Sequence, residues 1–129
     1  MRTIDLAPVT ATSIYVVEDE PNVAELYTIV LESADYHVNA FRDRREALRA
    51  LAAARQKPNL LITDYEGLSM SADWFMRQCL VLHPALRILM ISGFHREDMR
   101  FFRARPHRFI QKPFTLEQLE REVRASLAA

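Results

Sequence analysis

The chain reads as an α/β protein: a doubly wound parallel sheet of five strands with helices on both faces, in the pattern (βα)5. Three observations predict it. Strand-like apolar runs alternate five times with segments of helical period, and such alternation implies a parallel sheet because each crossover must be right-handed and cover one side. The runs Leu60-Leu61-Ile62 and Ile88-Leu89-Met90-Ile91 are apolar without a break, which suits strands buried on both faces. Four of the runs also stop at polar residues able to do chemistry. In an open parallel sheet every strand delivers its carboxyl end to one edge, where ligands bind.

After residues 1–12, read as a loose tail, the first strand covers 14–17. It leads into a helix whose Val23, Leu26, Tyr27, Val30, Leu31 and Ala34 match the i, i+3, i+4, i+7 template. Pro21 sits in its first turn, where no amide bond is lost. The second strand is 36–41. Asp43 opens the next helix with Glu46 three residues on, the spacing of a capping box, and Pro58 ends that connection. The third strand, 60–63, is followed by an irregular stretch, 65–71, and by a helix holding Trp74, Phe75, Cys79 and Leu82 that Pro84 closes. The fourth strand is 87–91, and a short fourth helix is expected over 97–104. The fifth strand is 109–111. Thr115 caps the last helix with Gln118 as its capping-box partner, and Leu116, Leu119, Val123 and Leu127 take its inner face. No repeat, low-complexity segment or linker interrupts the series, so residues 13–129 are expected to form one domain.

A chain of 129 residues fits one domain, which at that size buries roughly two-thirds of its unfolded surface. A composition half apolar and 26% charged is that of an ordinary soluble globule. Its 17 acids balance 17 bases. A neutral domain has no global field to draw in nucleic acid, so direct nucleic-acid binding is not expected. Cys79 is the single cysteine and cannot form an internal disulfide, which fits a reducing compartment. The tail holds Asp5 and Pro8 and lacks an apolar core of signal-peptide length, so export is not supported. The expectation is a cytoplasmic protein without a membrane role.

Glu18 and Asp19 follow the first strand, Asp64 the third, Ser92 the fourth, and Lys112-Pro113 the fifth. Two acids, an acid, a hydroxyl and an amine brought to one sheet edge make a phosphoryl-transfer site. In this order the residues resemble a two-component response-regulator receiver domain, over about residues 13–127. The resemblance implies a flavodoxin-like sheet in strand order 2-1-3-4-5. It implies that Asp64 is the phosphoacceptor, that Glu18 and Asp19 hold a magnesium ion with it, and that Ser92 bonds the phosphoryl group. Lys112, in the Lys112-Pro113-Phe114 signature, would pair with that group. Phe109, three residues before Lys112, falls on the aromatic switch position and would respond together with Ser92. Glu66, two residues past Asp64, borders the phosphoryl group in the family and is expected to join the metal site through its backbone.

The same residues make physical sense without the family. Carboxylates about 5 Å apart repel by roughly 3 kcal/mol per pair at an effective dielectric of 20, so three of them need a cation. A small hard ion with oxygen ligands that keeps several waters is what Mg2+ prefers. It would shield Asp64 from an incoming phosphoryl group and neutralise charge on the equatorial oxygens, leaving Asp64 free to be the nucleophile. Lys112 adds a second positive charge and Ser92 a donor to a phosphoryl oxygen. Taken singly, each has an ordinary explanation: an acidic turn at 18–20, a capping aspartate, a Ser92-Gly93 turn, a Lys-Pro loop. Their conjunction, each at the end of an apolar run, favours the site.

The chain departs from the family's pattern after Asp64, where Gly67, Leu68 and Ala72 stand in place of the usual Met, Pro and Gly. Glu66 reads either as a solvated loop acid or as a group that strengthens metal binding or orients the water that removes the phosphate. The stretch between Ser92 and Lys112 is short, and Pro106-His107 replaces small residues, so a stunted fourth helix is expected. Compact versions of this kind also occur beside or within sensor histidine kinases. Phe101 and Phe102 are adjacent and cannot both lie on one narrow helical stripe. Around them Arg96, Arg100, Arg103, Arg105 and Arg108 form either a solvated basic face or a docking surface for an acidic partner. His37, His83, His95 and His107 lack metal-ligand spacing and read as surface residues. Trp74 and Tyr27 read as packing residues.

The function expected is that of a phosphoacceptor response regulator in a phosphorelay. Asp64 would accept phosphoryl from a sensor histidine kinase or a phosphotransfer protein in a Mg2+-dependent reaction and so switch a protein-binding surface. No enzymatic turnover is expected beyond self-phosphorylation and slow autodephosphorylation. A homodimer through the fourth helix, fifth strand and fifth helix is a further expectation. A stand-alone receiver, with no output domain after Ala129, is the leading expectation, though an excised receiver of a hybrid kinase would read alike. Two alternatives remain. A haloacid-dehalogenase-type phosphatase uses the same residue types, and Asp64-Tyr65-Glu66-Gly67 imitates its opening motif, but there the acidic pair comes last in the chain, whereas Glu18-Asp19 comes first. A degenerate receiver acting as a phosphorylation-independent binding module is the other.

Overall fold

In the structure, a computed structural model that describes residues 11–66, 70–93 and 107–128, the five expected strands form one sheet. They are β1 (Ser13–Val17), β2 (His37–Phe41), β3 (Leu60–Asp64), β4 (Arg87–Ser92) and β5 (His107–Gln111). All neighbours pair in parallel, and the order across the sheet is β2-β1-β3-β4-β5. The helices among the described residues are α1 (Pro21–Ser33), α2 (Arg44–Ala53), α3 (Ala72–Leu82) and α4 (Leu116–Ala128). The helix expected over 97–104 and almost all of the tail expected over 1–12 lie outside the described residues.

The apolar runs are unbroken because alternate residues feed two separate cores. On one face Tyr15, Val17, Leu61, Ile88 and Met90 pack with Ala47 and Leu51 of α2 and Phe75, Met76 and Cys79 of α3. On the other, Ile14, Val16, Leu60, Ile62, Leu89 and Ile91 pack with Tyr27 and Leu31 of α1 and Leu119 and Val123 of α4. Fully burying one such side chain contributes about 1.5 to 3 kcal/mol. Two cores of this size therefore tolerate a group of like charges at the strand ends whose repulsion amounts to a few kcal/mol.

Local chemistry sets the helix ends. Pro21 begins α1, and the helix closes in a Schellman motif: Tyr36 N donates to Leu31 O, Asp35 N donates to Glu32 O, and Asp35 takes the left-handed conformation at φ 70°. Asp43 caps α2 by accepting from Glu46 N at 2.8 Å. Thr115 and Gln118 cap α4 reciprocally, at 3.0 and 2.7 Å, as the sequence predicts. Ser71 caps α3 by accepting from Trp74 N at 3.3 Å.

Several expectations need correction. Trp74 is 43% exposed and is not a packing residue, and Leu26 and Leu82 of the expected inner faces are 44% and 38% exposed. β5 begins at His107, two residues earlier than its apolar run, because an edge strand is held by ladder bonds more than by burial. His107 is accordingly no surface residue. Its Nδ1 accepts from Ile88 N at 3.0 Å, and burial pulls its pKa down to about 4. His83 also turns inward, its Nε2 donating to Pro58 O at 2.8 Å. Tyr27 is buried as expected, its ring 6.2 Å from that of Phe114.

Candidate functional site at the carboxyl edge of the sheet

Register brings the site together. Val17 is opposite Thr63, Asp64 opposite Ile91, and Ser92 opposite Gln111. Glu18 therefore falls beside Asp64, while Ser92 lies one residue further out along its strand and Lys112 two. Main-chain bonds extend the ladder past the strand ends: Glu18 N donates to Phe41 O at 3.0 Å, Tyr65 N to Ile91 O at 2.9 Å, and Lys112 N to Ser92 O at 2.8 Å. The site's backbone is thus a continuation of the sheet.

Glu18, Asp19 and Asp64 each offer a carboxylate oxygen, and these oxygens all lie within 4.8 Å of one another. Glu18 is 4% exposed and Asp64 5%, whereas Asp19 is open to solvent. Burial raises the pKa of Glu18 to about 8, with help from a hydrogen bond to Asp64 and its charge, although the Glu20 amide, donating at 3.0 Å, pulls the other way. Glu18 thus holds its proton more tightly than an ordinary carboxylate, which eases the crowding of the acids. Asp64 Oδ1 is buried. Three hard oxygen donors, two of them on buried carboxyl groups and one of those with a raised pKa, suit a small divalent cation.

The opposite side carries donors. Lys112 Nζ lies 3.2 Å from Asp64 Oδ1 and forms an ion pair with it. Burial lowers the Lys112 pKa, but Asp64, with Glu18 and Glu66, outweighs it and raises the group above its ordinary value. Ser92 is fully buried, and its Oγ donates to Glu66 Oε2 at 2.9 Å. Gly93 N donates to Glu66 Oε1, also at 2.9 Å. Glu66 is therefore not a solvated loop acid: its side chain holds the end of β4. Phe109 is partly buried and packs against the core beneath α2 and α3.

One residue that supports the site carries no signal in the motifs above. Arg44, 1% exposed, donates from its guanidinium to the carbonyls of Asp64, Tyr65 and Met70, bracketing the loop between β3 and α3. Burial lowers its pKa, while Asp64, Glu66 and Asp19 pull it back up, so it places positive charge beneath the acids. The signal was its spacing: Arg44, Ala47 and Leu51 share the buried stripe of α2. Of the expected basic face only Arg108 is described, and it pairs with Glu122 at 2.8 Å. Phe101, Phe102, Arg96, Arg100, Arg103, Arg105 and His95 lie outside the described residues.

Residues 14–124 match the response regulator receiver domain family. The chain is 31% identical over 118 residues to the nitrogen assimilation regulatory protein NtrX of Azorhizobium caulinodans, across 84% of this chain but only 24% of that protein's length. It is 29% identical over 119 residues to the response regulator receiver protein CpdR of Brucella abortus, across 90% of this chain and 97% of that one. In fold it resembles the crystal structure of a response regulator receiver protein from Sinorhizobium medicae, with a TM-score of 0.83 at 22% identity over 95% of this chain and 98% of that chain.

Proposed function

The chain belongs to the response regulator receiver domain family of two-component systems, and from that premise we propose that Asp64 is its phosphoacceptor. Receiver domains are signalling modules, and the phosphoryl donor proposed here is a sensor histidine kinase or a phosphotransfer protein. The observation that carries the reading is the placement of Asp64: buried, among the acids on one side and 3.2 Å from an ammonium on the other.

Asp64 Oδ attacks the phosphorus of a phosphohistidine; the new O–P bond forms as the P–N bond breaks, and the imidazole leaves with a proton from solvent. Lys112 is placed to pair with a phosphoryl oxygen, and the Ser92 hydroxyl to donate to another. Glu18, Asp19 and Asp64, with the main-chain carbonyl of Glu66, would hold Mg2+, which supplies charge neutralisation at the nucleophile and at the phosphoryl oxygens. Glu18 gives up its proton on taking that role.

Ser92 and Phe109 are proposed as the switch pair, since one ends β4 at the site and the other lies on neighbouring β5. A groove of about 310 Å³ lined by Phe109, Gln111, Phe114, Gln118, Arg121 and Glu122 offers the surface such a switch would reshape, for a protein partner or a second copy of the chain. Residues 13–129 are taken as the receiver unit. A cytoplasmic location is proposed on the lone Cys79, a buried thiol whose pKa burial raises to about 12. Among the described residues no helix is long and apolar enough to cross a membrane.

The test is intact mass after acetyl phosphate with Mg2+ or with EDTA. Wild type should gain one phosphoryl group with Mg2+ and none with EDTA, and Asp64→Asn should gain none under either condition. A modified Asp64→Asn protein would overturn the assignment.

A further inference from the structure

The donors at the end of β4 are already engaged. Ser92 Oγ and Gly93 N point to one carboxylate, that of Glu66, each at 2.9 Å. These are adjacent donors converging on a single anionic group, the arrangement in which charge-assisted hydrogen bonds are strongest. Ser92 has no exposure, so its hydroxyl gives up a partner only when another takes its place. A phosphoryl group on Asp64 would bring anionic oxygens to the same donors, and two anions cannot share them.

We propose that Glu66 is a resident anion of the site: its carboxylate holds Ser92 and Gly93 in the resting protein and leaves them when a phosphoryl group arrives. The inference rests on the reading of Asp64 as phosphoacceptor. Glu66 acts through the donors it occupies, so it is a positioning residue and not a catalytic one. Its hold opposes the phosphorylated state, and release of its carboxylate toward solvent is coupled to the movement of Ser92. The Glu66 side chain then serves two ends: it satisfies a buried hydroxyl while the site is empty of phosphate, and it sets the threshold for switching. The β3–α3 loop that carries it is anchored independently by Arg44 at Asp64, Tyr65 and Met70, so the side chain can depart without the backbone following.

The probe is beryllofluoride, titrated in saturating Mg2+ into wild type, Glu66→Ala and Glu66→Asp. Glu66→Ala should bind it about five- to tenfold more tightly, because no resident carboxylate has to be displaced. Glu66→Asp keeps the charge but is a methylene shorter and cannot span both donors, so it too should bind more tightly than wild type, by less. Amide spectra give a second readout. The Gly93 resonance should differ between wild type and Glu66→Ala at rest and converge once beryllofluoride is bound. Mg2+ affinity, measured without beryllium, should stay within about twofold of wild type, because the carboxylate faces Ser92 and Gly93 and not the acids. Equal beryllofluoride affinity in all three proteins, a Glu66→Asp protein that behaves as wild type, or a Gly93 difference that persists in the bound state would each overturn the inference and leave Asp64 as acceptor untouched. A tenfold loss of Mg2+ affinity in Glu66→Ala would make Glu66 a side-chain metal ligand instead. Failure of wild type to respond to beryllofluoride at all would overturn the reading of the site itself.

Discussion

Both ends of the sheet carry polar groups, but of different types and in different arrangements. At the amino end, several polar groups bond to the main chain: Asn59 Oδ1 accepts from Ser13 N, His83 Nε2 donates to Pro58 O, His107 Nδ1 accepts from Ile88 N, and Arg87 donates to Leu127 O. At the carboxyl end, three acids are pressed together, burial raises the pKa of one of them to about 8, and an ammonium stands 3.2 Å from another. A chain that only had to be stable would treat both ends alike. The difference lies in charge: the carboxyl end crowds carboxylate oxygens within 4.8 Å of one another and faces them with Lys112 and Arg44, whereas the amino end joins its polar groups to main-chain partners. On the proposed function, a cation relieves that crowding.

Arg44 tests how cleanly that division holds, because it is a structural residue at the functional end. Arg44→Ala should cost about 3 to 4 kcal/mol in chemical denaturation, since three loop carbonyls and a side-chain volume lose their partner at once. Acetyl phosphate labelling should fall with it as the loop after Asp64 loosens. A folded Arg44→Ala protein of wild-type stability would mean that the guanidinium bonds contribute little and that the loop is held by other contacts.

The amino end should answer to acid, and its sign can be worked out from His107. Its folded pKa lies near 4 while the unfolded chain titrates near the usual 6.5, so between those values the unfolded state takes up a proton the native state refuses. Stability should therefore be full above about pH 6.5 and decline as pH falls toward 4, by on the order of 2 kcal/mol after allowing for partial exposure. His107→Asn keeps an acceptor near the position of Nδ1 and does not titrate. It should flatten that slope in urea melts at pH 4 to 7 and leave Mg2+ affinity unchanged. A slope identical to wild type would assign the acid sensitivity to other groups.

Much of this was legible in the chain. The two-sided core showed as unbroken apolar runs, the caps at Asp43–Glu46 and Thr115–Gln118 showed as local patterns, and Glu18, Asp19, Asp64, Ser92 and Lys112 were marked by standing at the ends of their runs. What was not legible depends on distances between segments remote in sequence. Glu66 reaches Ser92 across 26 residues, and no periodicity records that contact. Arg44 carries no mark in the motifs of the sequence because charge usually means exposure, and its burial is set by three carbonyls of a loop about 20 residues further along the chain. His107 was misjudged for a related reason: a histidine at an edge strand reads as exposed until the amide of the neighbouring strand is seen to need an acceptor.

The claim that the carboxyl end is strained for the sake of its ligand is tested most directly by melting wild type and Asp64→Asn in EDTA and in Mg2+, at pH 6 and pH 9. Glu18 holds its proton at the lower pH and has lost it at the higher, so repulsion with Asp64 is larger at pH 9. Asp64→Asn should be more stable than wild type in EDTA at pH 9, by about 1 to 2 kcal/mol, and less so at pH 6, with Mg2+ narrowing the gap at both. Identical melting of the two proteins in EDTA at pH 9, or a gap that Mg2+ leaves unchanged, would contradict it.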